Sequence, residues 1–89
     1  MTAIKRYIRI FRRKRQQART RRKANQYLIE VFSLTKCGTL SELDFSAGYY
    51  TGIVTKAAEL GEITEQQRDE VLRVLHHIHK GEREIKEKE

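Results

Sequence analysis

The stretch TLSELDFSAGYYTGIVTKAAELGEITEQQ, Thr39–Gln67, decides the fold. It opens on Thr39-Leu-Ser-Glu42, a capping-box pattern in which the threonine oxygen serves one free N–H of a helix start and the glutamate reaches back to another. A helix is therefore predicted from about Leu40. Leu43, Ala47, Tyr50, Ile53, Val54, Ala57 and Leu60 recur at three and four residues, which gathers them on one apolar face. Gly61 supplies a left-handed C-terminal stop. Thr64-Glu-Gln-Gln67 repeats the capping signal, and Val71, Val74, Leu75 and Ile78 form the stripe of a further helix. A link as short as GEIT, 61–64, dictates an antiparallel helical hairpin. Gly48 and Gly52 sit four apart on its first helix, a spacing that permits close approach of another helix. Gly81 is expected to end the second helix, leaving EREIKEKE, 82–89, as a charged flexible tail.

Toward the amino terminus the pattern changes. With no proline in the chain, segment 3–36 carries Ile4, Tyr7, Ile8 and Phe11 at helical spacing, then a bare basic stretch, then Tyr27, Leu28, Val31 and Phe32 at helical spacing again. One long helix fits this pattern, roughly 50 Å long at about 1.5 Å per residue, longer than the small body beside it, so part of it should project, fray or dock elsewhere. The expected fold class is all-α with three helices, a long basic N-terminal helix plus an antiparallel two-helix hairpin. Residues 1–36 form a basic helical arm with an apolar C-terminal half, 37–81 the hairpin body, and 82–89 the tail.

The hairpin alone has a thin core, made of Leu43, Tyr50, Ile53, Val54, Leu60, Leu72, Val74, Leu75 and Ile78. At about 1.5–3 kcal/mol for each large side chain buried, that gain hardly exceeds the ordering entropy of the chain. Tyr27, Leu28, Val31, Phe32 and Leu34 are the natural cover. Self-association as a homo-oligomer, or docking on a host protein, would serve the same end.

Composition narrows the function. The chain has 89 residues, one Cys and no Trp, which suits a single small domain without an elaborate buried active site. No run approaches the roughly 18 apolar residues of a membrane span, and the basic start lacks the apolar stretch of a secretory signal, so a cytoplasmic location is expected. Cys37 has no partner for an internal disulfide.

The formal charge of +7 is a difference between two unlike halves. Residues 1–36 hold twelve basic side chains and one acid, whereas 37–89 hold seven basic and eleven acidic ones. Arg12–Lys23, RRKRQQARTRRK, packs eight cations into twelve residues: Arg12, Arg13, Lys14, Arg15, Arg19, Arg21, Arg22 and Lys23. Six are arginine, the residue suited to planar, bidentate contact with phosphate or carboxylate. Charge runs are often solvated faces, but balanced surface helices interleave both signs, and residues 1–29 contain no acid at all. The self-repulsion points to an external polyanion or acidic surface.

Three partners follow from this stretch. Nucleic acid, DNA or RNA, would be held through its phosphates with counterion release and little sequence preference. Tyr7 and Phe11 could stack on bases, although with Ile4 and Ile8 they read better as a packing stripe, and Gln16, Gln17 and Asn25 are weaker candidates for base edges. A second reading is an inhibitor or regulator that docks on a nucleic-acid-processing enzyme, its arm entering an acidic or nucleic-acid-binding channel and its hairpin adding apolar contact. The third, disfavoured, lays the basic amphipathic segment Ile4–Arg15 on an anionic membrane.

Catalysis is not expected. His76 and His79, at i, i+3, with His77 beside them, lack the further ligands of a zinc site, and Cys37 has no orienting acid for a nucleophile pair. No glycine-rich phosphate loop exists, so no catalytic, metal or cofactor residues are assigned. Nor is a major-groove reading helix evident, since Glu65, Asp69 and Glu70 carry the wrong sign for one.

In its size, its basic opening MTAIKRY, 1–7, and the turn-and-helix LGEITEQQRDEVLRVL, 60–75, the chain resembles the short accessory proteins of temperate bacteriophages and prophages. The resemblance implies nucleic-acid binding or action on a host DNA-processing enzyme. It carries no site residues with it.

Overall fold

Three α-helices follow one another in the computed structural model, which describes residues 2–88 and the side chains of 12–88. They are α1 (Thr2–Val31), α2 (Leu40–Glu59) and α3 (Glu65–Lys88), with a tight 3-10 turn at Phe32–Lys36 between the first two. The fold is all-α, with a hairpin of α2 and α3 and a long first helix laid mainly against α3.

Each predicted cap forms. Thr39 Oγ1 accepts from the Glu42 N–H at 3.1 Å, and the Glu42 carboxylate accepts from the Gly38 N–H at 3.0 Å, one residue further back than a standard box reaches. At α3 the box is reciprocal: Thr64 Oγ1 accepts from Gln67 N–H at 3.1 Å and Gln67 Oε1 accepts from Thr64 N–H at 2.9 Å. Between them Gly61, at φ +75°, closes α2 with a Schellman pair, Gly61 N–H to Ala58 carbonyl and Glu62 N–H to Ala57 carbonyl. The two ends of the link are thus locally determined.

The core joins all three helices. Ala24, Tyr27, Val31 and Leu34 come from the α1 side, Leu43, Ala47, Val54 and Ala57 from α2, and Ile63, Val71 and Leu75 from the turn and α3. Cover for the thin hairpin is therefore supplied within the chain. Leu28, Tyr50, Ile53, Leu72, Val74 and Ile78 pack around it, partly buried, as does Cys37.

Two expected core residues are outside. Leu60 is 64% exposed because it caps α2, and the Schellman turn that follows swings the chain so that Ile63 enters the core instead. Phe32 is 55% exposed. Beyond Val31 the chain tightens to three residues per turn, which aligns Val31 with Leu34 inside and turns Phe32 outward.

The expected end of α3 at Gly81 also needs correction, since the helix runs on to Lys88. A mid-helix glycine costs about 1 kcal/mol, and here Asp44 of α2 contacts α3 on both sides of it, at His79 and Arg83. Arg83 bonds Glu87 at 2.9 Å, and Lys86 lies 3.8 Å from Glu82. The Glu87 hydrogen bond, and then the Asp44 charge, hold the Arg83 guanidinium above its ordinary pKa.

The helices overhang at opposite ends. Thr20 and Arg21 meet Gln67 and Glu70 near the start of α3, whereas His79 and Arg83 meet Asp44 near the start of α2. Eighteen residues, about 27 Å of helix, separate the start of α1 from Thr20, so its N-terminal part runs past the hairpin turn. The outcome is a rod of 67 × 17 × 15 Å.

Candidate functional site

The register of α1 determines which cations face outward. Thr20, Ala24, Tyr27 and Val31 are buried at spacings of four, three and four, so this stripe is held against the body. Thr20 hydroxyl accepts from Gln67 Nε2 at 3.4 Å and donates to the Gln17 carbonyl at 3.1 Å, and both Thr20 and Gln67 are only 7% exposed. Arg21 adds an exposed ion pair to Glu70 at 3.3 Å.

With that face inward, Arg12, Arg15, Arg19 and Arg22 recur at three, four and three residues along the solvent side. All four are exposed, and they span about 15 Å of helix, with neighbouring β-carbons about 5–6 Å apart. Arg12, Arg15 and Arg19 border a shallow groove of about 480 Å³ whose far wall is the hairpin turn, Leu60, Gly61 and Glu62. Arg19 and Arg22 continue along it past Gln26.

Of the other four predicted residues, three lie elsewhere and Lys23 lines the groove beside Arg19 and Arg22. Arg13 overhangs the turn beside Ile63 and Thr64, and Lys14 shares the opposite flank with Arg21, Gln17 and Gln67. Lys23 is half-buried, its Nζ 5.4 Å from the Tyr27 ring centroid, so its cation already covers an aromatic face. Among the described residues, Arg21 is the only one of the eight within ion-pair distance of an acid. The Arg12–Arg22 stripe is thus a concentrated, solvated positive field without internal neutralisation.

Sequence reasoning missed Thr20 and Gln67, which orient the stripe, and Glu62, which faces it across the groove. Thr20 was findable by extending the Val31, Tyr27 and Ala24 spacing backward through small residues. Glu62 was not, because only the packing of α1 on the hairpin brings it there.

The remaining candidates are separate from this site. His79 Nε2 lies 2.7 Å from Asp44 Oδ1, while His76 and His77 are exposed. No group of three metal-ligating side chains occurs among the described residues. The Cys37 thiol lies 3.7 Å from the Ser46 hydroxyl. Among the described residues no helix is long and apolar enough to cross a membrane. The side chains of Ile4, Tyr7, Ile8 and Phe11, on which base stacking and membrane contact were argued, lie outside the described ones. No match to a known protein family, a characterised protein or a solved structure is found for this chain.

Proposed function

We propose that the protein acts by binding and not by catalysis, and that Arg12, Arg15, Arg19 and Arg22 contact nucleic-acid phosphates. The observation that carries this reading is their alignment: four exposed arginines on one strip of a helix that is anchored in the core from Thr20 onward. Guanidinium groups so spaced meet successive phosphates without first having to break internal ion pairs. Lys14 and Arg21 add charge on the flank. Positioning of this kind gives affinity with little sequence preference.

The deciding experiment is fluorescence anisotropy with random single- and double-stranded DNA and RNA across a salt series. Four phosphate contacts give a log–log slope near 3, at about 0.7–0.9 for each phosphate. Binding that is absent at low salt would remove the phosphate role.

One observation favours a second reading. Exposed Leu60 and the acid Glu62 form the far wall of the arginine groove, a mixed apolar and acidic edge better matched to a protein than to a bare phosphate chain. On this reading the protein is an inhibitor or regulator that docks on a nucleic-acid-processing enzyme. Such docking keeps most of its affinity at high salt, because desolvated apolar contacts supply it.

A further inference from the structure

The outward face of α2 has no role in the fold or in the arginine groove. Phe45 is 75% exposed and Tyr49 56% exposed, on the side opposite buried Leu43, Ala47, Val54 and Ala57. The two rings stack along the helix with centroids 6.5 Å apart, and Tyr49 meets Tyr50 edge-on at 5.4 Å. Stacked aromatics presented to water side by side mark a contact surface.

Gly48 and Gly52 lie on the same face. A β-carbon at either position would meet nothing within 4 Å, and neither has a positive φ. The fold therefore requires glycine at neither place, although glycine is the poorest helix former after proline. What two glycines one turn apart do create is a pair of notches beside two protruding rings.

We infer that this face pairs with a second copy of the chain, α2 against α2 in antiparallel orientation. Phe45 and Tyr49 are four residues apart, and so are Gly48 and Gly52. A register that sets Phe45 into the Gly52 notch of the second copy therefore also sets Tyr49 against Gly48. Two-fold symmetry repeats both contacts, giving four ring-in-notch contacts from one strip. In that register Glu42 lies one residue from direct opposition to Lys56 of the second copy. Both are exposed, the Glu42 carboxylate also accepting the Gly38 N–H at 3.0 Å and Lys56 holding a 3.7 Å contact to Glu59, and opposite charges close each end of the strip. Shape and charge are both self-complementary, which favours a second copy over an unrelated partner. With Glu42 before the rings and Lys56 beside Glu59 after them, the strip offers no positive field for a polyanion. This pairing does not rest on the nucleic-acid reading.

Sedimentation equilibrium of the full chain, from micromolar to millimolar concentration in high salt, tests the pairing away from the basic arm. The expected result is a reversible monomer–dimer equilibrium. Phe45→Lys with Tyr49→Lys should weaken it about thirtyfold or more with helicity by circular dichroism unchanged. Gly48→Leu with Gly52→Leu fills the notches with a better helix former, so a folded variant that no longer dimerises is expected. Lys56→Glu, which leaves the Glu42 cap in place, should weaken the dimer, and adding Glu42→Lys should restore it. A wild-type chain that stays monomeric throughout overturns the inference, as does a dimer that survives the leucine substitutions.

Discussion

The side-chain amide of Gln67 donates to the Thr20 hydroxyl at 3.4 Å while its carbonyl oxygen accepts the Thr64 N–H at 2.9 Å. One side chain thereby caps α3 and docks α1. Its two polar ends couple the start of the hairpin's second helix to the helix that carries the arginines. The orientation of the stripe depends on a residue 47 positions away in sequence.

Gln67→Glu retains an oxygen for the Thr64 N–H but loses the donor to Thr20, whereas Gln67→Ala loses both. Loss of a cap is worth about 0.5–2 kcal/mol and a hydrogen bond about 0.5–1.5 kcal/mol. Thermal denaturation should rank wild type above Gln67→Glu above Gln67→Ala. Equal melting temperatures for wild type and Gln67→Glu would show that the Thr20 contact contributes nothing.

Arg12, Arg15, Arg19 and Arg22 changed together to Glu should abolish nucleic-acid binding and leave the melting curve of the body largely intact. Single Arg→Ala changes along the stripe should each lower the salt slope by about 0.7–0.9. Lys23→Ala should affect binding less than Arg19→Ala, because the Lys23 ammonium already sits over Tyr27. An equal effect from both, measured by anisotropy, would dissolve the distinction between stripe and flank.

Glycine substitutions separate two kinds of position. Gly81 lies within α3 and its β-carbon would meet open space, so Gly81→Ala should stabilise by up to about 1 kcal/mol. Gly61 holds φ +75°, where an L side chain costs about 1–2 kcal/mol, so Gly61→Ala should destabilise. Urea titration reads both signs, and no gain at Gly81 would count against a helix continuing to Lys88.

Leu75 is fully buried and Leu60 largely exposed. Leu75→Ala should cost about 2–5 kcal/mol, whereas Leu60→Ala should stay within about 0.5 kcal/mol. A large loss at Leu60 in chemical denaturation would return it to the core in place of Ile63.

Much of this architecture was legible in the chain because its signals are local. Thr39, Gly61 and Thr64 act within four residues of themselves, so caps and turn could be read without knowing what packs on them. The exchange of Leu60 for Ile63 could not be read from spacing, since periodicity continues through a cap that the backbone does not. Phe32 was misread for a related reason, as a change from α to 3-10 winding alters which residue faces inward. The helical continuation past Gly81 is accompanied by contacts that no local signal shows, from Asp44 of α2 to His79 and Arg83 on either side of the glycine.

The sequence by itself determined the helical class, the hairpin and the separation of charge, because capping, apolar period and net charge are properties of neighbouring residues. It also marked Arg12–Lys23 as the chemically distinctive segment. Tertiary structure decided how those eight cations divide, because burial of Thr20, Ala24, Tyr27 and Val31 sets the rotation of α1 about its axis. That rotation places Arg12, Arg15, Arg19 and Arg22 along one groove, pairs Arg21 with Glu70 and sets Lys23 over Tyr27. A helix read alone has no preferred outward face among cations that surround it, and only packing against a second element creates one.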